Sequence, residues 1–153
     1  MLSRLLKLIF LSFCLLQSVK ADTIFVVTTF GVTIKPMTLT ELKNIFLRKT
    51  LLNEMGTRWI PLNLGADHPL RQTFSQKLFE LQPEAMESYW NEKYFQGVMP
   101  PHVVTSEEAM IRFIASTPNA IGYILPCHLD TRVQVIMILN VSEAVEQNCH
   151  HAK

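Results

Sequence analysis

Strand-like and helix-like segments alternate along this chain, and that alternation confines it to a layered α/β domain. Residues 23–29 (TIFVVTT) are β-branched and apolar with no helical period, the signature of a buried strand. Gly31 and Pro36 bracket the loop that follows. Thr38 or Thr40 can cap a helix on which Leu39, Leu42, Ile45 and Phe46 recur at helical spacing. A turn at 53–56 leads to a strand over 59–64. Asp67 reads as the N-cap of the next helix, opened by His68 and Pro69 and striped by Leu70, Phe74, Leu78 and Leu81. Pro83 starts a further helix carrying Met86, Tyr89, Trp90 and Phe95. The loop 97–101 (GVMPP) precedes a capping box of Thr105 with Glu108, then Met110, Ile111, Phe113 and Ile114. Strands over 120–125 and 133–139 complete the set. The expectation is one three-layer α/β domain with a mixed, four- or five-stranded sheet. Its core should hold Ile24, Val26, Leu42, Phe46, Trp59, Phe74, Leu78, Ile111, Ile114, Ile121 and Tyr123.

The first 21 residues stand apart from this pattern. Arg4 and Lys7 precede a short apolar run, Leu8 to Leu16, and Val19-Lys20-Ala21 offers small residues before Asp22. This is the layout of a secretory signal, and the run is well short of the roughly 20 residues that cross a bilayer. The expected division is a signal peptide over 1–21, a domain over 22–140 and a tail over 141–153, with export to the periplasm. Cleavage takes Arg4, Lys7 and Lys20 from the 14 basic residues, leaving 11 against 13 acidic ones. No basic run remains of the kind that binds nucleic acid. Two cysteines, Cys127 and Cys149, would remain in an oxidising compartment, where they are candidates for one disulfide.

Catalytic patterns are not recognisable. There is no Ser/His/Asp set, Gly-rich phosphate loop, H-E-x-x-H or paired-carboxylate motif. The expectation is therefore a protein that is not an enzyme and carries no cofactor. Cys149-His150-His151 has metal-ligand residue types, but structural metal sites gather ligands from separated segments, so no metal site is expected. His102, after Pro100-Pro101, reads as a surface histidine in a loop. Tyr89, Trp90, Tyr94 and Phe95 wrap more than one helix face, so most should be core and part could meet a partner.

Four segments, in order, resemble the phosphate-type substrate-binding proteins of ABC transporters. Leu39 to Lys49 (LTELKNIFLRK) is similar to that family's L-x-x-I-F-x-G-K helix, and Trp59 to Asn63 (WIPLN) to its following strand. Arg71 and Phe74 match R-x-x-F on the next helix, and Thr117 to Ile124 (TPNAIGYI) is close to T-P-G-A-I-G-Y-V. The resemblance implies a single lobe of a two-lobed periplasmic-binding-protein fold. It implies binding of phosphate or a similar oxyanion, and a membrane transporter or sensor as partner. By position, the family's anion-holding Ser-Gly-Thr turn falls on His68-Pro69-Leu70, with Arg71 beside it. The departures matter: Pro69 has no N–H, Leu70 no hydroxyl, and Asp67 places a carboxylate where an anion would sit. The candidate weak binding site is therefore Asp67, His68, Leu70 and Arg71, with Asp67 as a plain N-cap paired to Arg71 as the competing account. Two functions follow: a solute-binding protein, or an interaction module that has lost its ligand and docks on a protein partner.

Overall fold

The protein is described here by a computed structural model covering residues 22–141. The elements run β1 (Asp22–Thr29), α1 (Leu39–Phe46), β2 (Ile60–Leu64), α2 (Pro69–Phe79), a 3-10 turn (Pro83–Met86), α3 (Glu87–Phe95), β3 (His102–Val104), α4 (Glu107–Ser116), β4 (Ala120–Ile124), a second 3-10 turn (Pro126–His128) and β5 (Val133–Val141). One five-stranded sheet has the order β3-β2-β4-β1-β5. β2 runs parallel to both β3 and β4, while β1 is antiparallel to β4 and β5. The sheet is thus mixed, as the alternation of elements predicts.

β4 shows why the domain has three layers. All five of its residues are buried, and successive side chains must point to opposite faces. On one face, a Cβ at Gly122 would stand 2.5 Å from Met110 Sδ and 3.0 Å from Ile114 Cδ1, so α4 lies directly over this glycine. On the other face, Tyr123 stacks on Phe74 of α2 at 3.8 Å between ring centres, and Phe74 meets Phe46 of α1 edge-on at 4.9 Å. Helix α4 therefore covers one side and α1 with α2 the other. Every core residue expected from the sequence is buried.

The helix starts follow from local chemistry. Thr38 caps α1 in a full capping box, its hydroxyl accepting from Glu41 N while the Glu41 carboxylate accepts from Thr38 N. Two expected caps shift by one residue. His68, not Asp67, caps α2, and Ser106, not Thr105, caps α4 by accepting from Ala109 N at 3.1 Å. Glu108 consequently closes no capping box; its carboxylate is taken by Arg112 and Arg132. His102 is not in a loop but opens β3, a three-residue edge strand too short to show any periodicity. The segment after Pro83 is a 3-10 turn and then α3, which buries no residue. Tyr89 and Trp90 are half-buried and Tyr94 and Phe95 exposed, so the aromatic group is mostly surface rather than core. Among the described residues no helix is long and apolar enough to cross a membrane. The signal-like segment 1–21 and the tail beyond Val141 lie outside the described residues.

Candidate functional site

In open α/β sheets, ligands collect beyond the carboxyl ends of the parallel strands, where helix N-termini present free N–H groups. Here that position is a crevice of about 420 Å³ between the starts of α2 and α4, floored by Leu125 just after β4. His68, Leu70, Ser106, Glu107, Glu108 and His128 line it.

At each helix start one N–H is already taken by a side chain of the protein itself. At α2, His68 Nδ1 accepts from Leu70 N at 3.2 Å, so the N–H that an anion would use is occupied. Pro69, at the first helical position, supplies none. At α4, the Ser106 hydroxyl takes Ala109 N. The Glu107 carboxylate is buried, accepts from Leu125 N at 2.6 Å, and lies 2.9 Å from His128 Nδ1. That last pair is close but not in hydrogen-bond alignment, which leaves His128 Nδ1 buried without a hydrogen-bond partner. A carboxylate in the first turn is favoured by the helix dipole, the same field that would hold a bound anion. Beside it, Glu108 is held down to about pKa 2 by hydrogen bonds from Arg132 and Arg112.

Of the four site residues read from the sequence, two share the crevice and two do not. His68 and Leu70 line the crevice. Asp67 is exposed, with its Oδ1 folded back 2.8 Å from where a Gly65 Cβ would stand. Arg71 is only 6 % exposed; it neither lines the crevice nor pairs with Asp67. Its guanidinium lies near Tyr123 and Glu84, with Nη1 buried and unpartnered, and burial lowers its pKa. The reason is helical geometry: the third residue of α2 falls on the stripe shared with Phe74, facing the sheet. Ser75, one turn on, is also fully buried with an unpartnered hydroxyl.

Glu107 and His128 were missed by sequence reasoning. Glu107 reads there as an ordinary first-turn acid, and no spacing connects it to His128 across β4. No group of three or more His, Cys, Asp or Glu gathers to hold a metal among the described residues. Cys127, in the turn after β4, is disulfide-bonded; Cys149 lies outside the described residues.

These features define a three-layer α/β lobe with a crevice between two helix starts. No protein-family model matches the chain, and no curated protein matches it. Solved structures do. One is described as a phosphate ABC transporter substrate-binding protein with bound phosphate from Clostridium perfringens, with a TM-score of 0.62 and 17% identity over 76% of this chain and 44% of that one. Another, an ABC-type phosphate transport receptor from Vibrio cholerae, gives 0.60 and 15% over 76% and 46%. The chain therefore spans less than half the length of these structures. The fold is that of one lobe of the phosphate-type substrate-binding proteins.

Proposed function

We propose that this chain is a non-catalytic, solute-binding-like module of the periplasm whose oxyanion crevice is filled by its own carboxylate. On this reading it holds phosphate or a similar oxyanion only weakly and acts by docking on a protein partner such as a membrane transporter or sensor. The observation that carries the reading is Glu107: a buried carboxylate at the start of α4, bonded to Leu125 N and set against His128. An incoming anion would meet a like charge in a partly desolvated crevice, where repulsion is stronger than in water. The second reading is a phosphate carrier, and the likeness in fold to phosphate receptors favours it.

Isothermal titration with phosphate and sulfate separates the two. The expected Kd is about 1 mM or weaker, which corresponds to ~4 kcal/mol. Glu107→Gln keeps an acceptor for Leu125 N and removes the charge, so oxyanion affinity should rise by about tenfold. Micromolar phosphate binding by the unmodified protein would establish the carrier. An unchanged affinity in Glu107→Gln would remove this crevice from consideration.

A further inference from the structure

A second cavity, of about 300 Å³, lies at the opposite end of the sheet, beside the end of β1 and the starts of β2 and β4. It is far from the helix starts where this fold class binds anions. Much of its wall is apolar, interspersed with polar side chains: Val32, Ile34 and Met37 come from the segment after β1, Ile45 from α1, and Leu52 and Trp59 from the stretch before β2. Ile45 and Trp59 are buried core residues, whereas Leu52 is 54% exposed and neighbouring Met55 68%. Apolar surface thus continues from the core to the rim.

The segment over the cavity is pinned at both ends. Gln134 of β5 accepts from Gly31 N and donates to Val32 O. At the other end the Thr38–Glu41 capping box fixes the entry to α1. Between them, Lys35 pairs with Glu54 at 2.8 Å, joining this strap to the opposite rim. Both partners are well exposed, so the pair contributes little and can part readily. Several polar wall groups are occupied internally. Thr28 donates to Ala120 O, and the Asn53 amide bonds to Asn119 while its carbonyl accepts from Met55 N and Thr57 N. None of the buried unpartnered polar atoms of the described residues belongs to a residue lining this cavity.

We propose that this cavity is a binding site for a small, uncharged, predominantly apolar molecule. The wall offers shape and apolar contact; its lining cation, Lys35, is already paired with Glu54, and the Glu41 carboxylate is held by Thr38 without a cationic partner among the described residues, so an anionic ligand would lose hydration and meet negative charge. Apolar cavities of roughly 150 Å³ accept one benzene ring, so this volume suits a ligand of about a dozen non-hydrogen atoms. Met37 and Met55 give the entrance an adaptable surface.

The probe is 2-naphthol, uncharged at neutral pH, titrated into the full-length 15N-labelled protein and followed by amide chemical shifts. Saturable shifts should centre on 32–37, 52–55 and Trp59, with a Kd between roughly 10 µM and 1 mM. The same rings bearing a charge, in 2-naphthoate, should bind at least about tenfold more weakly. Leu52→Asp places a charge at an already exposed position, so it should keep the native spectrum and weaken 2-naphthol by at least about tenfold. Non-saturating shifts, shifts centred on the exposed Phe95 or Ile138, equal binding of 2-naphthoate, or an unaffected Leu52→Asp would each overturn the proposal. None of these outcomes depends on oxyanion binding at the opposite end of the sheet.

Discussion

Tyr123 ties β4 to both the helix layer above it and the neighbouring strand β2. Its ring is fully buried against Phe74, and its phenolic oxygen accepts from Leu64 N at 3.2 Å, at the end of β2. Burial raises its pKa well above the ordinary 10.0. A group whose folded pKa is raised contributes stability that is complete below the unfolded pKa and is lost as pH rises above it. Unfolding free energy should therefore fall from about pH 10 upward, because the unfolded chain ionises while the folded one resists. Tyr123→Phe keeps the stacked ring but leaves Leu64 N buried without an acceptor. Near neutral pH it should cost about 1–3 kcal/mol, and above pH 10 it should flatten the alkaline decline. Denaturant titrations at neutral and alkaline pH check both outcomes; an unchanged alkaline slope would contradict this role. Arg71 carries the matching lesson: a basic residue next to a helix start reads as an anion ligand, yet its helical position turns it inward.

Between elements, charge ties α4 to the turn before β5. Arg132 donates to both oxygens of Glu108 and to Asp130, and Glu108 also accepts from Arg112. Glu108 falls from 4.5 to about 2, chiefly through hydrogen bonds from Arg132 and Arg112, and Asp130 is lowered chiefly by Arg132. Depressed carboxylate pKa values give stability that is present above the unfolded pKa and lost as pH falls through the folded one. The contribution should be whole above about pH 4.5 and disappear toward pH 2. These groups are largely exposed, so solvent screening limits it to at most about 1 kcal/mol. Comparing Arg132→Ala with the unmodified protein across that window isolates the network, because all other carboxylates cancel. The difference should vanish as pH approaches 2; a constant difference would assign the loss to packing of the arginine stem instead. β5 poses a different problem. This nine-residue edge strand carries no charge and no proline, the usual guards against strand pairing.

For the molecule as a whole, stability rests first on the core around the sheet. Among the described residues, 26 buried hydrophobic side chains form a single core around the sheet, ample for a domain of this size. A covalent tie adds to it at Cys127, which is disulfide-bonded. We propose Cys149 as its partner, closing a loop of about 20 residues whose constraint on the unfolded chain contributes ~2–4 kcal/mol. Melting under reducing conditions should fall by several degrees, and Cys127→Ser and Cys149→Ser should each reproduce the fall. Peptide mapping without reduction should recover the two cysteines in one linked fragment. A free Cys149 in that map would reject the pairing.

Residue order alone determined the class of fold. Apolar runs with a period of two or none, interleaved with helical stripes, permit only a layered sheet, and burial of those residues follows from water's cost for apolar surface. The sequence also carried the register of likeness to phosphate-type lobes, visible in TPNAIGYI, where Asn119 adopts the left-handed backbone (φ 63°) at the position of the family's glycine. It did not determine the site. Whether Asp67 or His68 caps α2 turns on which side-chain atom reaches Leu70 N, and that depends on the path of the chain out of β2. Glu107 and His128 meet only because β4 passes between them in sequence and returns the chain to the start of α4. The cavity likewise forms only when packing lays the strap held by Gln134 over residues distant in the chain. Elements form from local periodicity, but a site is a coincidence of side chains in space, and only packing brings those together.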